Sequence, residues 1–262
     1  MMDLAQHYSD NGFLIFPDPV LPSDTVSRAK SGMDAIRRGE YDRGTSPQPS
    51  PWNPGDSEQT LCKIEQPQFA NQALLDLISH PKIGELAGAA TGAEWIQVWW
   101  VQLLYKPVGT ETEKNRINIG WHQDRNYWGS WEEGSELLTA WVAVSDVEDD
   151  SGPMRFVPGS NKWGLVEGSD FHKGDLDSVK AGLQVPEGSR WEERSAHMAA
   201  GGMSLHDCYT FHGSGENESG QPRCSFAIHL RTQNSRPVDD LRQGLTRFID
   251  DKSVCPVIYK RG

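Results

Sequence analysis

The chain has 262 residues, 37 acidic and 25 basic, for a formal net charge of −12. That field, with no basic run to oppose it, argues against a nucleic-acid partner. The length supports a sizeable core without disulfides or structural metals, and no linker divides it, so a single domain over 1–262 is expected.

The opening MMDLAQHYSDNGFLIFP lacks a basic segment followed by an apolar one, and no window reaches the length of a membrane span. The expectation is a soluble cytoplasmic protein with a small-molecule partner, no nucleic acid and no membrane; monomer and homodimer stay open. Cys62, Cys208, Cys224 and Cys255 have none of the close spacings of a zinc knuckle and read as reduced thiols. Asn217-Glu218-Ser219 matches a glycosylation triplet but reads as a turn.

In chain order, residues 3–10 predict a short amphipathic helix broken by Gly12, and Phe13 to Phe16 an apolar strand. Val26, Ala29, Met33 and Ile36 recur at helical spacing, predicting a helix over 25–36 capped by Ser23 or Asp24. Residues 39–58 hold four prolines and three glycines among polar residues, which suits a long loop, and 40–60 is a candidate lid. Helices are expected over 70–79 and 81–90. From Trp95 the period changes: WIQVWWVQLLYK is rich in aromatic and β-branched residues and ends at Pro107. Further strands are expected over 117–122, 137–144, 154–157, 203–205 and 224–232, separated by loops rich in Gly, Pro, Asp and Asn. Residues 164–200, with seven acidic residues and little periodicity, read as an insertion between strands and a second candidate lid. Short punctuated strands without strand-helix alternation predict a mainly β fold: a double-stranded β-helix, the cupin-like jelly-roll barrel, with supporting N-terminal helices.

His122-Gln123-Asp124 carries the most chemistry. In extended chain, positions i and i+2 share a face, so His122 and Asp124 can converge while Trp121 and Gln123 point away. Phe211-His212-Gly213-Ser214-Gly215 offers a second histidine before a glycine-rich turn. Two neutral histidines and a carboxylate suit Fe(II) and leave positions open, whereas zinc in such a set favours a tetrahedral site with an activated water. Spacing alone does not choose between these metals. Arg223, eleven residues beyond His212, starts an apolar run in which Ser225 shares its face. Its guanidinium fork matches a carboxylate, with the Ser225 hydroxyl as a further donor.

The ordered segments Asn11 to Ile15, Trp121-His122-Gln123-Asp124, Ala140 to Val147, Ser151 to Ser160, His212 to Asn217 and Arg223 together resemble the phytanoyl-CoA dioxygenase family of Fe(II)- and 2-oxoglutarate-dependent oxygenases. The resemblance runs across most of the chain. It implies Fe(II) bound by His122, Asp124 and His212, 2-oxoglutarate on that iron with its distal carboxylate paired to Arg223, and O2 as cosubstrate. It also implies Trp141 lining the cosubstrate pocket, with Thr139 on the same strand face. Gln102 is the preferred polar contact on its strand, because Lys106 immediately precedes a proline turn. The activity implied is hydroxylation of an unactivated C–H with release of succinate and CO2. Asp124 argues against a halogenase, which needs that position free for halide.

Past the metal motif, Tyr127 and Trp128 are candidate walls of a substrate pocket, and Arg125 and Asn126 either bind a polar substrate group or fix the loop. His229 shares a strand face with Arg223 and Ser225 and is a further candidate near substrate; His206 reads as a core or supporting residue. Two alternatives stand beside the hydroxylase: a cupin-type metalloenzyme that does not use 2-oxoglutarate, and a non-enzymatic barrel that binds a small molecule.

Overall fold

The computed structural model describes residues 3–109, 117–238 and 242–262. Helix α1 (Leu4–Asn11) starts on the Asp3 carboxylate, which accepts from Gln6 N, and stops at Gly12, whose positive φ of 80° suits glycine. Strand β1 (Phe13–Phe16) follows. Helix α2 (Ser23–Arg37) begins earlier than expected and has no side-chain cap: Pro22 takes the cap position, and Asp24 in the first turn pairs with Arg28 instead. Strand β2 (Cys62–Glu65) is too short to register as a periodic signal and was not anticipated. Helices α3 (Gln72–Ile78) and α4 (Pro81–Thr91) lie where expected, the first capped by Asn71 and the second opened by proline and closed by Gly92.

The remaining elements are strands β3 (Trp95–Lys106), β4 (Ile119–His122), β5 (Leu137–Ala143) and β6 (Met154–Phe156), helix α5 (Leu176–Gly182), and strands β7 (Arg194–Ser195), β8 (Met203–Asp207), β9 (His212–Ser214), β10 (Arg223–Arg231) and β11 (Val257–Lys260). They form two sheets. The larger runs β1-β8-β5-β10-β3-β11, with β2 paired to β3, and the smaller runs β4-β9-β6-β7. This is the expected double-stranded β-helix framework with helices outside it.

Strand parity divides the larger sheet. Val98, Val101, Leu103, Leu138, Ala140, Val142, Phe226, Ile228 and Leu230 are buried in one cluster with residues of α1 to α4. The opposite face carries Gln102, Thr139, Trp141, Ala227 and His229. Register aligns these into rows: Trp100, His229, Thr139 and His206 stand opposite one another in sequence across the sheet, and so do Glu65, Gln102, Ala227, Trp141 and Ser204. A bulge at His229/Leu230 leaves Trp99 unpaired in the β3–β10 ladder, and both Trp99 and Trp100 line the interior. All four cysteines are buried and unbridged, and among the described residues no helix is long and apolar enough to cross a membrane.

The two expected lid segments differ in position. Residues 46–54 border a depression with Ile36, Tyr41 and Ile64, away from the His-Asp-His cluster. The 164–200 segment carries α5 and β7 and runs beside β4. Gly120 N donates to Phe171 O, Asp170 N to Trp121 O, and the Asn118 amide to Gly174 O. The approach is close enough that a Cβ on Gly120 would lie 2.0 Å from Asp170 O and 2.5 Å from Lys173 O. Gly120→Ala is therefore expected to push residues 170–173 off β4, costing about 1–3 kcal/mol as overpacking does. Limited proteolysis in this segment should accelerate about tenfold or more while the far-ultraviolet circular dichroism of the sheets persists.

Candidate metal centre

His122 ends β4 and His212 opens β9, and the two stand directly opposite each other in that antiparallel pair. Asp124 begins a short 3-10 turn just after β4. Each imidazole is oriented by its own backbone: His122 Nδ1 lies 2.8 Å from Gly120 O, and His212 Nδ1 lies 2.9 Å from Thr210 O. Donation from Nδ1 leaves both Nε2 lone pairs for a metal. Asp124 Oδ1 sits 3.6 Å from His122 Nε2 and 3.7 Å from His212 Nε2. All three residues are buried, and their donor atoms lie within 4.8 Å of one another.

Electrostatics favour the protonation states that bind metal. Burial alone would raise the Asp124 carboxyl, but His212, His122 and His206 overcome it and hold the group well below the usual carboxylate range. Burial, with His122 and His206 alongside, holds His212 well below the ordinary imidazole value, so it stays neutral. A neutral-imidazole and ionised-carboxylate set is what a divalent cation requires.

The outer oxygen of Asp124 is also fixed. Thr139 Oγ1 donates to Asp124 Oδ2 at 2.8 Å and lies 2.8 Å from His229 Nδ1, so His229 is the donor in that second contact. His206 Nε2 is 3.3 Å from the same oxygen, with its ring against those of His212 and Phe156. Thr139 thus buttresses the carboxylate ligand. Burial pushes His229 down to about 4, and its ring packs on Trp99 and Trp128.

Two connected spaces meet at this centre. A narrow cleft holds the cluster with Thr139, Trp141, Met154 and Arg223. A roomier cavity of about 310 Å³ is lined by Lys63, Glu65, Trp99, Trp100, Tyr127 and Trp128 among others. Gln102, Asp124, Phe171 and His229 border both.

Arg223 is fully buried in the cleft and packs over Trp141, 5.1 Å from the ring centroid. Nη1 donates to Gly152 O and Ser214 Oγ, while Nε and the Trp141 indole N–H have no partner among the described residues. Burial depresses the guanidinium to about 10. Lys106 stands opposite Arg223 in the β3–β10 register, and its ammonium donates to Ser214 Oγ at 2.6 Å and to Gly215 O. Burial and the neighbouring Arg223 push Lys106 well below its ordinary value. No carboxylate among the described residues pairs with either cation. Sequence reasoning passed over Lys106 for Gln102, yet Lys106 shares Gln102's strand parity and reaches Arg223, whereas Gln102 borders the roomier cavity as well as the cleft.

The other predicted residues divide. Tyr127 and Trp128 do line the cavity. Arg125 instead fixes the loop, donating to Trp128 O at 2.6 Å and Trp131 O at 3.0 Å, and borders a separate depression near Tyr209. Asn126 is exposed, and among the described residues its side chain bonds only Ser169. Ser225 is buried, with its hydroxyl 3.4 Å from Leu104 O, and is not part of the cleft wall. Phe171 and the β2 pair Lys63 and Glu65 were missed, since neither a short strand nor an aperiodic insertion signals its tertiary partner.

Gln123, whose side chain faces away from the cluster, ties the 164–166 backbone and Tyr209 O to the metal loop. Nearby, Asp207 is raised to about 6, by burial first and then by Glu136 and Asp124 against a hydrogen bond from Tyr209 N. A carboxyl raised on folding binds more protons folded than unfolded between its ordinary value and about 6, so its contribution falls as pH rises through that window. Asp207→Asn should therefore raise Tm by a few degrees at pH 8 and by much less at pH 4, measured by calorimetry.

Two histidines and an aspartate inside a double-stranded β-helix define a non-haem metal oxygenase centre. Residues 8–225 match the family model described as Phytanoyl-CoA dioxygenase (PhyH), and the chain belongs to that family of Fe(II)- and 2-oxoglutarate-dependent enzymes acting on small molecules. It is similar to an ectoine dioxygenase of Halomonas elongata, 30% identical over 246 residues, covering 87% of this chain and 69% of that protein. It is also similar to an L-proline trans-4-hydroxylase of Streptomyces griseoviridis, 27% identical over 154 residues, covering 52% of this chain and 57% of that one. In fold it resembles the non-haem, alpha-ketoglutarate-dependent carbocyclase SnoK of nogalamycin biosynthesis, with TM-score 0.71 and 22% identity over 99% of this chain and 96% of that one.

Proposed function

We propose that this chain is a hydroxylase. In this reading His122, Asp124 and His212 hold Fe(II), 2-oxoglutarate and O2 are cosubstrates, and an unactivated C–H of a small metabolite or natural-product intermediate is the target. The observation that carries the reading is Arg223: a buried guanidinium that, among the described residues, has no carboxylate partner, with its Nε and the Trp141 indole N–H unpaired there too, in the same cleft as the metal-binding set. A buried cation of this kind is costly unless an anion joins it. Lys106 behind it adds to the positive potential.

The donor set fits Fe(II) and 2-oxoglutarate. The two oriented Nε2 atoms and Asp124 Oδ1 would hold the metal, Arg223 would take the distal carboxylate, and Trp141 would wall the cosubstrate. When bound, Fe(II) and 2-oxoglutarate would supply the electrons that activate O2, one oxygen atom ending in succinate as CO2 is lost and the other left to oxidise the substrate. The protein's own part is orientation and exclusion. Thr139 keeps Asp124 from rotating, and Phe171 and His229 wall the boundary toward the cavity against water.

Residues 1–262 are read as one catalytic domain. The relatives fit this reading: the names of two of them specify a dioxygenase acting on ectoine and a hydroxylase acting on proline. The test is anaerobic addition of Fe(II) and 2-oxoglutarate, which should produce a visible charge-transfer band, followed by succinate assays with a substrate panel. A product heavier by one oxygen atom establishes hydroxylation, and a product of unchanged or lower mass overturns it. A cupin-type enzyme independent of 2-oxoglutarate predicts no band.

A further inference from the structure

The cavity beside the metal centre contains one feature that neither packing nor the cosubstrate accounts for. Lys63 and Glu65 are alternate residues of β2, so they share a face, while Cys62 and Ile64 on the other face are buried in the helix-covered core. Both charged side chains border the cavity, only 17% and 14% exposed.

Lys63 Nζ lies 3.3 Å from Glu65 Oε1. Glu65 is fixed from two further sides: Trp100 Nε1 donates to Oε2 at 2.5 Å, and the Gln102 amide donates to Oε1 at 3.3 Å. The Lys63 ammonium also lies 4.6 Å from the Phe171 ring centroid. An exposed ion pair on a strand has no need of an indole donor and an aromatic cover. This carboxylate is held in one orientation within an aromatic wall.

From this arrangement we infer that the substrate is a compact zwitterion, bearing one protonated amine or amidine and one carboxylate. The inference rests on the hydroxylase reading, since it takes this cavity to be the substrate pocket. An ionised carboxylate offers about four acceptor sites and an ammonium three donors. Glu65 uses three sites and Lys63 one donor, so each keeps capacity for a ligand of opposite charge. A ligand dipole antiparallel to Lys63–Glu65 satisfies both, and the remaining aromatic faces favour its cationic end. A polyanion such as an acyl-CoA meets one ammonium and the Glu65 carboxylate here, and the volume of about 310 Å³ is at the lower end for small-molecule sites. Gln102, which touches Glu65 and borders the metal cleft, places the anchored ligand beside the centre.

The experiment uses enzyme loaded with Mn(II) and 2-oxoglutarate, titrated calorimetrically with L-pipecolate, L-valine, β-alanine and γ-aminobutyrate, and with the N-acetyl and carboxamide form of each. At least one zwitterion should bind, with both charge-blocked counterparts weakened tenfold or more. Glu65→Gln should weaken that zwitterion by a similar factor, and Lys63→Met should erase its advantage over the carboxamide. Equal binding of a blocked form, unchanged affinity in Glu65→Gln, or no binding by any zwitterion overturns the inference. Should Glu65→Gln not fold, the blocked series on the parent enzyme decides. Failure of the underlying reading appears separately, as absence of the Fe(II) charge-transfer band in parent enzyme with Glu65 intact.

Discussion

Arg223→Ala is expected to abolish the charge-transfer band formed by Fe(II) and 2-oxoglutarate, and to weaken 2-oxoglutarate binding by two to three orders of magnitude. The estimate follows from the cost of breaking a buried, hydrogen-bonded charge pair, about 3–5 kcal/mol. The variant should bind metal normally, because the guanidinium donates to Gly152 O and Ser214 Oγ and not to the ligand set. A further signature separates binding from folding. Without the cosubstrate, Arg223 is a buried charge lowered to about 10 by desolvation and faced by a second cation, Lys106. Removing it should leave the Tm of the cosubstrate-free protein nearly unchanged, or raise it. A large fall in that Tm, with the band retained, would assign Arg223 to the fold and remove it from the cosubstrate site.

Asp124→Ala is expected to eliminate metal binding and turnover together. In the parent protein, Mn(II) under anaerobic conditions at about one hundred times its Kd should stabilise the folded state by about 2.7 kcal/mol and raise Tm by several degrees. The variant should show no such rise. The pH dependence has a definite sign. Protons compete with metal at His212 only where the imidazole protonates, and burial holds that transition well below the ordinary value. Asp124 is likewise held ionised below the usual carboxylate range. These two ligands should therefore cost no metal affinity between pH 8 and about 6.5, the ordinary imidazole value, and do so only at lower pH. A decline beginning above pH 7, measured by metal-dependent Tm, would contradict this electrostatic account.

Much of the centre was readable from local rules. The i, i+2 spacing of His122 and Asp124 put two ligands on one face, and the parity of β10 grouped Arg223, Ser225, Ala227 and His229, of which all but Ser225 border the cleft. The strand run from Trp95 to Lys106 was bounded correctly by its composition and by Pro107. His212 was recognised by its neighbours, although Gly213 and Ser214 proved to be strand and not turn.

Other assignments depended on contacts between distant parts of the chain. Thr139, expected on the cosubstrate side of its strand, lines the cleft and also holds Asp124, because cross-strand register places it between His229 and His206. Arg125 donates to the carbonyls of Trp128 and Trp131 in its own loop and does not line the cavity beside the metal centre. Phe171 reaches the metal centre only because Gly120, lacking a side chain, lets the 170–173 backbone lie against β4.

By itself, then, the sequence determined the periodic elements, the ligand pair and the family pattern, since these depend on spacing along a single strand or helix. Only the tertiary structure decided which charges share a space. Lys106 beside Arg223, and Lys63 with Glu65 facing the cavity, are products of strand register and sheet order. Those pairings are set by packing between segments up to more than a hundred residues apart, and spacing within any one segment does not encode them.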